Sequence, residues 1–185
     1  RFVPTNINEV SYNDEEINLY RNRYMMKPML LARFFQELNF NGNETVLHIG
    51  SNTGYASAVL SKLCSAVITI ESDKKLYEKS IEVLSELSFD NVVPLHGLME
   101  MGVPDEAPFD VIFIEGAIEE HPKLLFDQLL VSGQLATVLR PYNSPLGKGV
   151  IFYKHENSIG PIELFDAQCL TLPIFKTKSK FVFNN

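Results

Sequence analysis

The run Val46-Leu47-His48-Ile49-Gly50-Ser51-Asn52-Thr53-Gly54-Tyr55 constrains the fold more than any other stretch of this chain. An apolar segment that ends in a glycine-containing turn and enters a helix is how α/β proteins build a nucleotide pocket. A buried parallel strand delivers the turn, and free N–H groups at the helix start meet the polar end of the ligand. The spacing here is Gly-x-x-x-Gly. The dinucleotide fingerprint Gly-x-Gly-x-x-Gly is absent, because Asn52 stands where its second glycine would be. About 20 residues past the turn, Ile68-Thr69-Ile70-Glu71 ends a second apolar run with an acid, and a carboxylate there can take both hydroxyls of a ribose.

Composition removes several alternatives. The 185 residues are 45% hydrophobic and 21% charged, which predicts one domain with a sizeable core. A net charge of −7 without a basic cluster argues against nucleic acid as a partner. No apolar run reaches the roughly 18 residues of a membrane span, and Lys27, Pro28 and Arg33 interrupt the greasiest stretch. Cys64 and Cys169 share no metal spacing and read as buried thiols of a cytoplasmic protein. His96, His121 and His155 also lack ligand spacing, so no metal site is expected. The chain opens at Arg1 without methionine or signal pattern, and we expect residues ahead of it to be missing.

Strand and helix signals alternate through the middle. Residues 1–27 read as an arm, polar and irregular through residue 24, that lies over the domain. Pro28 opens a helix carrying Leu31, Phe34, Phe35 and Leu38, which Asn39–Asn43 ends. Strand 45–49, helix 53–63, strand 66–71, helix 73–87 and strand 91–96 follow, with Leu76, Ile81, Leu84 and Leu87 as the buried stripe of the second of these helices. Strand 110–114, a helix from near Pro122 and strand 134–139 complete a core spanning 28–140. This rhythm predicts an α/β fold with a mostly parallel sheet covered by helices on both faces. In 141–185, Gly149–Lys154 and Ile162–Ala167 predict an antiparallel hairpin around His155–Pro161, with Phe181-Val182-Phe183 as a candidate further strand.

The Gly50–Gly54 turn with Glu71 resembles the Rossmann-like S-adenosylmethionine (SAM) methyltransferases. Five ordered segments narrow the resemblance to the protein-L-isoaspartate O-methyltransferase family. They are Arg1-Phe2-Val3-Pro4; Tyr12-Asn13-Asp14 through Arg23-Tyr24-Met25-Met26-Lys27-Pro28-Met29; Ala107-Pro108-Phe109-Asp110-Val111-Ile112; Pro122 through Gln128-Leu129 with Gly133-Gln134-Leu135; and Leu164-Phe165-Asp166 to Leu172-Pro173. Together they span nearly the whole chain. Four positions depart from the family pattern: Met26 replaces a serine, His48 an acid, Asn52 a glycine, and Leu98, after Gly97, an aspartate.

The resemblance implies SAM as cofactor, held by His48, Gly50, Ser51, Asn52, Thr53, Gly54, Tyr55, Glu71, Gly97 and Leu98. It implies isoaspartyl proteins or peptides as methyl acceptors, and a monomer or weak dimer. Methyl transfer to a carboxylate already ionised at neutral pH needs orientation rather than a general base. Met26 cannot offer the hydrogen bond of the family serine, so we assign no catalytic residue and expect altered acceptor choice or weak isoaspartate turnover. Asparagine tolerates positive φ, so the turn survives at Asn52. His48 either accepts a hydrogen bond from the cofactor or fills the core. Leu98 forfeits one hydrogen bond, about 0.5–1.5 kcal/mol, or packs on the adenine. Glu71 is otherwise a solvated neighbour of a helix cap, and Tyr55 a half-buried helix residue. Glu115, where the family keeps a small residue, is a candidate for the substrate region or part of a solvated loop. The rival to an enzyme is a degenerate relative that only binds, or a methyltransferase with another acceptor. A nicotinamide dehydrogenase fits the glycine spacing poorly.

Overall fold

The structure, a computed structural model, describes residues 1–4 and 14–177. Its elements begin with β1 (Ile17–Tyr20), β2 (Arg23–Met25), α1 (Pro28–Glu37), β3 (Thr45–Ile49), α2 (Tyr55–Leu60) and β4 (Ala66–Glu71). They continue with α3 (Lys74–Glu86), β5 (Val92–His96), β6 (Phe109–Ile118), α4 (Lys123–Phe126), β7 (Leu129–Leu139), β8 (Gly147–Lys154) and β9 (Ile159–Ala167). One seven-stranded sheet has the order β5-β4-β3-β6-β7-β8-β9. The pairs from β5 to β7 are parallel, and β8 and β9 are antiparallel. The expected architecture and the C-terminal hairpin are both present.

Alternation along the buried strands divides the core into two layers. Val46, Val67, Val111 and Phe113 face α1 and α2, whereas Leu47, Ile49, Ile68, Ile70, Ile112 and Ile114 face α4 and the segment around Leu172. On the first face Phe34 of α1 packs 5.8 Å from Phe113 and 5.2 Å from Phe165, ring centre to centre. That cluster fastens α1 to strands from both halves of the sheet. Because β3 pairs with both β4 and β6, its C-terminal turn opens at the middle of the sheet, with Glu71 on one side and Glu115 on the other.

Several expectations need correction. The N-terminal arm is not irregular throughout, because β1 and β2 form an antiparallel hairpin with Ile17 paired to Met25. Alternating side chains explain it: Ile17, Arg23 and Met25 are buried while Asn18, Arg21 and Asn22 are exposed. In α3, Leu76 and Leu84 are buried, but Ile81 and Leu87 are 41% and 39% exposed, and Ser80 and Val83 complete the inward face instead. The stretch from Glu115 to Ile118 is buried strand rather than solvated loop, since β6 runs to Ile118 past an irregularity in its pairing with β7. The helix expected over 53–63 is shorter, at Tyr55–Leu60. Phe181–Phe183 lie outside the described residues.

Phe34→Ala should lower stability by about 3–5 kcal/mol, the usual cost of emptying a buried aromatic site. A urea midpoint unchanged from wild type would show that the Phe34 cluster does not hold α1 to the sheet.

Candidate active site

The turn after β3 is built by backbone geometry. Gly50 and Gly54 have φ of 78° and 95°, and Asn52 has φ of 52°, so three positive-φ residues fold the chain back on itself. At Gly54 a Cβ would meet Leu84 Cδ1 at 3.0 Å, so side-chain-free backbone is what lets α2 approach α3. The Gly54 N–H donates to the Ser51 carbonyl at 2.8 Å, and the Gly50 N–H to Ile70 at 3.0 Å, tying the turn to the end of β4.

Glu71 is fully buried, which removes the solvated reading. Its Oε1 accepts the Ser72 and Asp73 N–H groups at 2.9 and 3.0 Å. Its Oε2 accepts the Asn52 N–H at 2.9 Å and an Arg23 Nη2–H at 2.7 Å. Arg23 is itself 6% exposed, and its Nη2 also donates to Asn52 Oδ1 at 3.2 Å. A Cβ on Gly50 would stand 3.2 Å from that same nitrogen, so the guanidinium lies directly over the turn. Sequence reasoning missed Arg23. The available signal was an arginine two positions before Met25, on the inward side of a strand that the polar composition concealed.

On the other flank, His48 and Glu115 are buried on the same face of neighbouring strands. His48 Nε2 lies 3.2 Å from Glu115 Oε2, within ion-pair range but not aligned as a hydrogen bond, and Nδ1 shares a hydrogen bond with Ser57 Oγ at 2.9 Å. Glu115 Oε1 accepts the Met26 N–H at 3.1 Å. Met26 is 2% exposed and belongs to the core cluster on the α1 side.

The remaining expected residues divide. Thr53 donates its hydroxyl to the Phe2 carbonyl at 2.6 Å, and half-buried Tyr55 meets the Phe2 ring edge-on at 5.7 Å, so residues 1–4 cover the start of α2. Gly97 donates its N–H to the Glu71 carbonyl at 3.1 Å, but Leu98 is 62% exposed and packs into no core cluster. Ser51 is buried, and its Oγ, Arg23 Nε and Glu115 Oε2 have no hydrogen-bond partner among the described residues. The cleft bordered by Met26, Glu115 and Gly116 has only about 10 Å³ of free volume. A larger cavity of about 580 Å³ lies between residues 1–4, β1 and α3, and reaches Thr53 but neither Glu71 nor Gly50.

This donor set suits a nucleoside with a cationic end. Buried Glu71 stands at the carboxyl end of β4, buried Glu115 stands on β6 across β3, and buried polar atoms there lack partners among the described residues. The protein-L-isoaspartate(D-aspartate) O-methyltransferase family model matches residues 1–149. The chain belongs to this family. It is 38% identical over 135 residues to protein-L-isoaspartate O-methyltransferase 2 of Anaeromyxobacter sp. (strain Fw109-5), covering 73% of this chain and 56% of that protein. It is 33% identical over 140 residues to the Myxococcus xanthus enzyme, covering 76% and 66%. The chain thus spans between half and two thirds of these relatives' length. A solved protein-L-isoaspartate O-methyltransferase superposes with TM-score 0.78 at 26% identity, over 87% of this chain and 53% of that one. A Plasmodium falciparum structure described as a family member in complex with S-adenosyl-L-homocysteine shares the fold, with TM-score 0.69 at 22% identity over 91% and 84%.

Family membership does not make the thiols reactive. Burial, reinforced by the Glu44 charge, pushes Cys64 up to about 12. Burial first, then Glu16, raises Cys169 well above the usual thiol range. The nucleophile is the thiolate, so neither cysteine should label with a thiol reagent near pH 8 in the native protein, and both should label in denaturant. Glu71→Ala should cost about 3–5 kcal/mol, because it removes the buried ion-pair partner of Arg23 and the shared acceptor of three backbone N–H groups. A thermal melt matching wild type would contradict that.

Proposed function

We propose that this chain is the cofactor-binding and methyl-transferring part of a SAM-dependent protein-L-isoaspartate O-methyltransferase, acting on the free carboxylate of isoaspartyl residues in damaged proteins. The observation that carries this reading is Glu71, a buried carboxylate at the end of β4, bonded from the backbone of the Gly50–Gly54 turn. Two unpaired buried cysteines also suit a reducing compartment such as the cytoplasm. No described helix is long and apolar enough to cross a membrane.

Bound SAM supplies an electrophilic methyl group on a sulfonium. Glu71 would hold the ribose hydroxyls, and the Gly50–Gly54 turn offers backbone N–H groups and close approach. Glu115 keeps a carboxylate facing the turn from β6, where the family pattern has an acid at position 48 on β3. It also holds the backbone of Met26, at the position of the family serine. An acceptor carboxylate is already ionised at neutral pH, so no residue of this chain would have to take a proton from it. The protein's contribution is therefore orientation and exclusion of water.

The buried thioether of Met26 gives an acceptor no hydrogen bond, so turnover should be slow. An isoaspartyl peptide incubated with methyl-labelled SAM should acquire alkali-labile label slowly, and a normal aspartyl peptide should acquire none. Met26→Ser should raise the rate severalfold. Absence of label at any enzyme concentration, with intact binding of S-adenosylhomocysteine, would move the search to other acceptors. A second reading, a non-catalytic relative, draws on Arg23 standing against Glu71, and complete absence of cofactor binding would favour it.

A further inference from the structure

We propose that Arg23 sets the cofactor affinity of this chain by occupying the ribose seat on Glu71, and that nucleoside binding requires its guanidinium to leave. This rests on the reading of Glu71 as part of a SAM site.

Three observations place the guanidinium in the seat. Its Nη2 lies 2.7 Å from Glu71 Oε2, with the two side chains 7% and 0% exposed. The same nitrogen lies 3.2 Å from Asn52 Oδ1 and 3.2 Å from the site of a Cβ on Gly50. Four N–H groups among the described residues donate to Glu71, two to each oxygen, so a ribose hydroxyl reaches Oε2 by displacing one of them. Three are backbone N–H groups held by β4 and the turn. Arg23 is the one side chain among them.

The same contacts show why the occupant can leave. Among the described residues, Nε is buried without a hydrogen-bond partner and Nη1 reaches only the Met99 sulfur at 3.7 Å, a weak acceptor. A guanidinium satisfied at one nitrogen regains hydrogen bonds on returning to water, which offsets part of the lost ion pair. Its hairpin has attachments that do not involve the guanidinium: Asn52 Nδ2 donates to the Tyr24 carbonyl at 3.1 Å, and the Lys75 ammonium lies 4.9 Å from the Tyr20 ring centre. The side chain can therefore withdraw while the hairpin stays attached.

The test is a calorimetric titration of the chain with S-adenosylhomocysteine, comparing wild type with Arg23→Gln. The variant should bind at least tenfold more tightly, and equal or weaker binding by a folded variant would overturn the proposal while leaving the SAM reading intact. Binding by neither protein would overturn both. The second measurement needs no variant: the Arg23 Nε–H signal of nitrogen-15-labelled wild type, followed as ligand is added. It should shift and begin exchanging with water at saturation. A signal unmoved at saturation would show that the guanidinium never leaves the seat, and the proposal would fail even if Arg23→Gln does not fold.

Discussion

The centre of this molecule is organised by the carboxylate of Glu71. A buried anion is tolerated only where donors replace its water, and both its oxygens are supplied by N–H groups from three directions. The turn after β3, the start of the loop into α3 and the hairpin that precedes α1 all converge on this group. A shift of any one of the three takes a donor from the buried carboxylate, and only another donor in its place can make up the loss. The convergence explains why a hairpin distant in sequence has a fixed place over the sheet: it brings a cation to an anion that the parallel strands alone would leave short of one.

The His48–Glu115 pair shows the same logic on the other flank. β3 and β6 are neighbours in register, so an acid moved from the end of one strand to the end of the next remains on the same face of the sheet. Glu115 is buried, with Oε1 accepting the Met26 N–H and Oε2 standing 3.2 Å from the His48 ring without an aligned hydrogen bond. Ser57 braces the far nitrogen of that ring from α2. Met26, just before α1, and Ser57, in α2, both meet this pair from the α1–α2 side of the sheet.

Much of this architecture was legible in the sequence, because the signals were local. Val46–Ile49 and Ala66–Glu71 announce themselves by continuous apolarity, and the turn by its glycines. What was hidden depends on partners far along the chain. Ile17 and Arg23 look like parts of a polar arm until the sheet beneath them is known. Ile81 and Leu87 carry the right periodicity for a buried stripe, but α3 packs on β4 and β5 through a face rotated toward Ser80 and Val83. Glu115 in an acidic run reads as solvated, and only the continuation of β6 past its irregularity puts it indoors. Short-range pattern gave the strands; the charged groups of the site required tertiary contacts.

The departures from the family pattern are mostly coupled, and that bears on what kind of molecule this is. Asn52, where a glycine is usual, keeps the positive φ and uses its side chain twice, accepting from Arg23 and donating to the Tyr24 carbonyl. A glycine could do neither, so Asn52 and the Arg23 hairpin depend on each other. His48, where an acid is usual, faces Glu115, where a small residue is usual. Random loss of a site leaves buried charges without counterparts, and such groups cost several kcal/mol in proteins of modest stability. Here Arg23 meets Glu71 and His48 lies beside Glu115, while Leu98 is exposed and has no structural explanation. That pattern is the one expected of a site rebuilt around a new set of contacts, in which the old glycine turn and acid persist beneath a side chain that the cofactor must displace.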